Sequence, residues 1–262
     1  MKTLEGKIAF ITGAAMGNGE GIARVMAEKG ATVVLADLNE RVFEVAKDIG
    51  NGALAYIADI SDYGQVQKVA AEVLEKLGRV DILVNNAGIA RRIRVEEMDD
   101  ELFNLHYRIN VIGTWNCTKA FLPQMMKNKY GRIVNMASVT GPRVVDPGMM
   151  GYAMSKGAVL AFTKATAMEG VKCGITANAI LPGYILTPMV QHSAHETNPE
   201  NPQKVIDGIA ATVPMGRLGE TKEIGYLAAF LASDEAAYIT GAEFLIDGGA
   251  ALPETNVMGK SE

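Results

Sequence analysis

Cysteine is nearly missing from this chain of 262 residues. Cys117 and Cys173 allow one disulfide at most, and no C-x-x-C pair exists for zinc or thiol redox chemistry. A reducing compartment, the cytoplasm, is the expected setting. Positive charge is not in excess either. Lys and Arg number 25 against 30 Asp and Glu, a formal net charge of −5, so nothing drives the chain toward nucleic acid or an acidic membrane. No uninterrupted apolar run reaches the roughly 18–20 residues of a membrane span. The stretch Ile8-Ala9-Phe10-Ile11 meets Thr12-Gly13 too soon to be a signal-peptide core. A metal set is lacking as well, because His192 and His195 have no accompanying Glu-His or Cys pair. Without internal repeats or linkers, residues 1–262 read as one domain.

Glycine, by contrast, is abundant: 28 residues, about 11% against a usual share of roughly 7%. Around it, short β-branched runs alternate with longer helical stretches. Lys7–Ile11, Ala31–Ala36, Ala53–Ile57 and Asp81–Val84 are nearly continuous apolar runs, as in strands covered on both faces. Gly19–Lys29, Glu40–Ile49 and Asp62–Leu77 carry apolar residues at three- and four-residue spacing, as crossover helices do. Gly30, Gly50, Gly52 and Gly78 close these helices, and Ser61 or Asp62 is placed to cap the third. Arg132–Met136, Thr176–Ile180 and Glu243–Ile246 bring the expected strand count to seven. Right-handed crossovers then give an α/β fold: a Rossmann-type, doubly wound parallel seven-stranded sheet with helices on both faces and ligands outside its carboxyl ends. Residues 186–213, rich in Pro, Asn and His, are long for a connection and read as a substrate lid.

Directly after the first strand, Thr12-Gly13-Ala14-Ala15-Met16-Gly17-Asn18-Gly19 opens a helix. A strict G-x-G-x-x-G is absent, but Gly13, Gly17 and Gly19 still let the backbone approach a pyrophosphate, and Asn18 offers its N–H at the helix start. Asp37 ends the second strand about 20 residues on, where a carboxylate accepts hydrogen bonds from the adenosine ribose and repels a 2′-phosphate. No Lys or Arg stands at Leu38 or Asn39, and Met16 is not basic, which favours NAD over NADP. Capping of the next helix is the alternative use of Asp37. Asp59 and Ile60, after the third strand, are placed to hold the adenine edge or simply to make a turn. Further along, Tyr152 and Lys156 are four apart on an expected helix, hence on one face. A free tyrosine has a pKa of about 10. A nearby ammonium and an oxidised nicotinamide both favour its phenolate and make Tyr152 a usable acid/base.

The glycine turn, Asn85-Asn86-Ala87-Gly88, Asn110, Ser138, Tyr152-x3-Lys156, Pro182-Gly183 and Asp247-Gly248-Gly249 stand in the order and spacing of the short-chain dehydrogenases/reductases, and the chain resembles that family over its whole length. Within it, Ser138-Val139-Thr140-Gly141, Asp146-Pro147-Gly148 and Leu252-Pro253-Glu254-Thr255 resemble the UcpA-type oxidoreductases. The resemblance implies that Lys156 holds the nicotinamide ribose, Ser138 the substrate oxygen and Asn110 a proton-relay water. It also implies that Asn86, Ala87 and Gly88 close over the cofactor, and that Ile185 and Thr187 contact its carboxamide. Asn18 departs from the family pattern, which usually has an apolar residue there.

The expected activity is interconversion of a secondary alcohol and its ketone with NAD(H), a hydroxysteroid or a sugar alcohol being among the candidate substrates. Met149, Met150 and Met189 could line a pocket for a bulky substrate or simply fill the core. Arg91, Arg92 and Arg94 could steer an anion or form a solvated basic loop. Asp99–Met126 and Met150–Val171 match the long helices through which the family forms homodimers and homotetramers, with Trp115, Phe121 and Phe162 at the interface or buried in the monomer. One alternative is a non-catalytic dinucleotide-binding sensor on the same fold. Another is a sugar-nucleotide epimerase or dehydratase, for which the C-terminal region is short.

Overall fold

A computed structural model describes residues 2–252; Pro253-Glu254-Thr255, part of the resemblance above, lies outside them. The described residues form seven strands: β1 (Ile8–Thr12), β2 (Thr32–Asp37), β3 (Leu54–Ile57), β4 (Ile82–Asn85), β5 (Gly131–Met136), β6 (Ile175–Pro182) and β7 (Glu243–Ile246). They pair in parallel in the order β3-β2-β1-β4-β5-β6-β7. The expected fold class is the observed one.

The period-two geometry of β1 splits the core into two faces. Ala9 and Ile11 point to one side, where Ile22 and Met26 of α1 (Gly17–Glu28), Val42 of α2 (Arg41–Ile49) and Ile224 of α9 (Thr221–Leu231) pack. Ile8 and Phe10 point to the other, toward Val66 and Val73 of α3 (Tyr63–Leu77) and Cys117, Phe121 and Met125. Strand order reverses between β1 and β4, which opens a crevice at the carboxyl ends of both. Asp62, not Ser61, caps α3 by accepting the Gly64 N–H at 2.8 Å, and Gly78 closes it in the left-handed conformation.

The stretch expected as one helix over Asp99–Met126 is divided. α4 (Asp100–Tyr107) and α5 (Gly113–Asn128) are joined by a π-helical turn, Arg108–Ile112, that contains Asn110. Such wide turns form where side-chain bonds compete with the regular ladder, often at functional sites. Here the Thr114 hydroxyl donates to the Asn110 carbonyl at 2.9 Å. Residues 186–213 are also more regular than their composition suggests. Thr187 caps α7 (Pro188–Thr197) and Asn201 caps α8 (Pro202–Ala210), each followed by proline at the first helical position. Proline there starts a helix rather than breaking one. α6 (Met150–Gly170) matches its expectation closely.

Phe121 is fully buried against Phe10, with ring centroids 4.7 Å apart, so it belongs to the monomer core and not to an interface. Trp115 is half exposed and meets Phe162 edge-on. Phe121→Ala should therefore lower unfolding stability by about 3–5 kcal/mol in urea titration, whereas Trp115→Ala at monomeric concentrations should change it little.

Candidate functional site

A cleft of about 500 Å³ runs across the carboxyl ends of the strands. Gly13, Gly17, Asn18, Asp37, Asp59, Ile60, Asn86, Ala87, Gly88, Ser138, Tyr152, Lys156, Ile185 and Thr187 all border it. Gly19 and Asn110 are not among its walls.

The floor is made by close backbone approach. A Cβ on Gly13 would lie 2.8 Å from the Ala87 Cα, and one on Gly19 would lie 2.0 Å from the Gly13 carbonyl oxygen. Gly19 thus serves the packing beneath the turn. The turn is stitched to the end of β4 by Thr12, whose hydroxyl oxygen accepts the Asn86 and Ala87 N–H groups at 3.0 Å each. The Asn86 amide donates back to the carbonyls of Thr12 and Gly13. α1 begins at Gly17 without a side-chain cap, leaving first-turn N–H groups free of a side-chain acceptor. The Oδ1 of Asn18 is buried with no hydrogen-bond partner beside them. A glycine cradle, an uncapped helix start and an orphaned amide oxygen together fit a phosphate-linked ligand bearing hydroxyls.

At the outer end, Asp37 Oδ2 accepts the Ala15 N–H and Oδ1 accepts the Asn39 N–H, both at 2.9 Å. These bonds orient the carboxylate and leave further lone pairs on both oxygens. Asp59 Oδ1 accepts the Ser61 N–H at 2.8 Å, a turn that faces the same cleft.

At the inner end, α6 presents Tyr152 and Lys156 from successive turns, with the Lys156 Nζ 5.6 Å from the Tyr152 ring centre. Lys156 is buried and donates to the Met136 carbonyl at the end of β5 at 2.7 Å. Burial pushes its pKa down to about 8. The Tyr152 phenol moves the other way. Burial raises it above its ordinary value and outweighs the lowering by a hydrogen bond with Ser138. The lowering expected from Lys156 is not the dominant effect, because that ammonium is directed to Met136.

Asn110 stands behind Gly88, where an added Cβ would lie 3.0 Å from its Oδ1. Both N–H groups of its amide are engaged. Oδ1 accepts the Ile89 N–H at 2.8 Å, and Nδ2 donates to the Ile89 carbonyl at 3.0 Å and the Ser155 hydroxyl at 2.9 Å. These bonds fix its neighbours and leave one lone pair on Oδ1 and one on the main-chain carbonyl, which accepts only the Thr114 hydroxyl. Met189 lines the cleft, whereas Met149 and Met150 are not among its walls, so the bulky-substrate argument from those two methionines is not supported. Arg91, Arg92 and Arg94 are exposed, and Arg92 donates to the Pro147 carbonyl. His192 is exposed and pairs with Glu196 at 3.2 Å.

Sequence reasoning missed several groups. Tyr184, directly after Pro182-Gly183, lines the cleft, with its pKa raised by burial and by Asp146. Ser155, between the two expected catalytic residues, ties the Tyr152 carbonyl to Asn110. His106 is fully buried one helical turn before Asn110 and accepts the Arg91 N–H, so it anchors the chain leaving Gly88. Its spacing to Asn110 was the available signal.

A family model described as enoyl-(acyl carrier protein) reductase matches residues 13–251. With that match and the relatives below, the chain belongs to the short-chain dehydrogenase/reductase family of oxidoreductases, which bind a nicotinamide dinucleotide. Among particular proteins, it is 47% identical to oxidoreductase UcpA of Escherichia coli (strain K12), over 99% of this chain and 100% of that one. It is 36% identical to 3-oxoacyl-[acyl-carrier-protein] reductase FabG of Thermotoga maritima, over 95% and 99%. The crystal structure of levodione reductase superposes with a TM-score of 0.89 at 34% identity, covering 95% of this chain and 98% of that one. Ligand-free aldohexose dehydrogenase of Thermoplasma acidophilum superposes with a TM-score of 0.91 at 28% identity, covering 100% and 99%.

The buried ammonium carries a pH signature. An unfolded lysine titrates near its ordinary value of 10.5 and this one near 8, so between those values the unfolded chain binds more protons and folding stability rises with pH. Cys117, pushed by burial from 9 up to about 12, opposes that rise from about pH 9, and Tyr152 does so at higher pH. Lys156→Met should be more stable than the wild type at pH 7 by on the order of 1–3 kcal/mol, and the gap should close between about pH 8 and 10, as followed by chemical denaturation.

Proposed function

We propose that the chain is an NAD(H)-dependent oxidoreductase interconverting a secondary alcohol and its ketone, with Tyr152 as the acid/base. The supporting observation is the continuity of one cleft: Asp37 stands at one end, the glycine turn between, and Ser138, Tyr152 and Lys156 at the other. Bound nicotinamide supplies the hydride chemistry. Asp37 accepts from the adenosine ribose hydroxyls and repels a 2′-phosphate, while Asp59 and Ile60 border the adenine. The turn and the start of α1 hold the pyrophosphate. Asn86, Ala87 and Gly88 close over the ligand, and Ile185 and Thr187 meet the carboxamide.

Ser138 hydrogen-bonds the substrate oxygen. Tyr152, kept protonated by burial, gives that oxygen a proton in reduction and takes it back in oxidation. Lys156 holds the nicotinamide ribose and favours the phenolate when it forms. Asn110 is a positioning residue through Ile89 and Ser155. Residues 186–213 form the lid of a single domain, and the half-exposed Trp115 and Phe162 region supports a homodimer or homotetramer. No helix among the described residues is long and apolar enough to cross a membrane. Cys117 and Cys173 are both free thiols, in keeping with a cytoplasmic setting.

Tyr152→Phe should retain NADH binding by fluorescence and lose turnover by roughly 10²–10⁴-fold against a panel of steroids, sugar alcohols and small diols. Unchanged turnover would remove Tyr152 from the chemistry, and binding without turnover in the wild type would favour the sensor. Asp37→Ala should narrow the preference for NAD over NADP, measured as the ratio of dissociation constants. A wild type that prefers NADP would contradict the role given to Asp37.

A further inference from the structure

The reading of Asp37 assumed that no cation stands near the ribose edge, because Leu38 and Asn39 are neutral. The fold brings one there from the next helix. Arg41 Nη1 donates to the Ala15 carbonyl, while the Ala15 N–H donates to Asp37. A single residue of the glycine turn is thus gripped from its two ends by the carboxylate and the guanidinium. Arg41 and Asp37 are therefore held on the same residue of the turn.

The charge of Arg41 is already matched. Glu20, in the first turn of α1, accepts from Arg41 at 2.9 Å through Oε2 and from Arg24 at 2.8 Å and 3.0 Å through Oε1. Its side chain is only 17% exposed, against 43% for Arg41. The enclosed partner fixes the geometry and the more exposed one adapts to it. Arg24 has a second carboxylate within reach, Asp48 at 3.5 Å. Beyond Met16 lies a depression of about 560 Å³ lined by Glu20, Arg24 and Arg41 and sharing Met16 and Gly17 with the main cleft. Space and a planar donor suited to phosphate are therefore both present beside Asp37.

We infer that Glu20 is a specificity-determining residue that excludes a 2′-phosphate by holding the Arg41 guanidinium. Asp37 repels the phosphate directly, and Glu20 withholds the cation that would compensate. The inference rests on the reading that the adenosine end of a dinucleotide lies at Asp37.

Calorimetric titration with 5′-AMP and with 2′,5′-ADP tests it without turnover. Removing Glu20 also takes a negative charge from the phosphate end of α1, so the quantity to follow is the ratio of the two affinities. Glu20→Gln and Glu20→Ala should each shift that ratio toward 2′,5′-ADP by about tenfold, and Arg41→Ala added to either should abolish the shift. Having both single variants guards against one failing to fold. An unchanged ratio in both, or a shift that survives Arg41→Ala, would overturn the inference. Failure of 5′-AMP to bind the wild type would instead sink the dinucleotide reading, and this inference with it.

Discussion

The hydrogen bond from the Lys156 ammonium to the Met136 carbonyl is the contact on which the inner half of the site depends. A lysine buried this deeply is costly, since the charged form loses its hydration. One strand-end carbonyl offsets part of that loss and fixes the rotation of α6 relative to β5. With that rotation set, Tyr152 one turn earlier is delivered to the cleft rather than to the core. The same burial brings the Lys156 pKa down to about 8.

The outer half depends on fewer charges and more backbone. Thr12-Gly13 and Asn86-Ala87 exchange four hydrogen bonds at the ends of β1 and β4. These are the two strands between which the topology reverses, so no ladder bond continues past them. Side chains replace the ladder at the place where the crevice opens. Asn110 does the same one layer further in. By bonding Ile89 and Ser155, it joins the loop after β4 to α6 and holds Gly88 close to Lys156. Buried polar groups that are fully satisfied specify one arrangement, whereas a half-satisfied set would not.

The strands were legible because parallel, doubly covered strands leave continuous apolar runs, and β1 to β7 fall within a residue or two of those runs. The residues bordering the cleft were legible because the turn, the strand ends and the Tyr152–Lys156 spacing are local in sequence. What escaped depends on contacts that spacing does not encode. The π turn at Arg108–Ile112 keeps the composition of a helix and differs only in its hydrogen bonding. α7 and α8 were hidden because residues 186–213 were read from their composition as a long connection, although Thr187 and Asn201 stand directly before proline as caps. Arg41 lies four residues beyond Asp37, yet the bend over Leu38–Glu40 carries its guanidinium back to the glycine turn. Burial of Tyr152, which raises its pKa, is likewise a property of the assembled fold.

The segment 186–213, of which Thr187 to Val190 border the cleft, is built on a different principle from the sheet. Its entry is rigid. Leu186 donates to the Gly219 carbonyl at 2.8 Å and Gly219 to the Tyr184 carbonyl at 2.9 Å, a short parallel bridge that continues the order of the strand ends. Thr187 then caps α7 while packing opposite Gly17, so the first turn of the segment is registered against the glycine turn. Beyond that point burial falls away. Ala194 is the one buried residue of α7, and α8 has none. Helices with so little apolar contact have local opening energies far below that of the core. Displacing them forfeits few contacts, while the bridge and the Thr187 cap keep their root in place. As the proposed lid, residues 186–213 thus combine a rooted start with two helices that bury almost nothing.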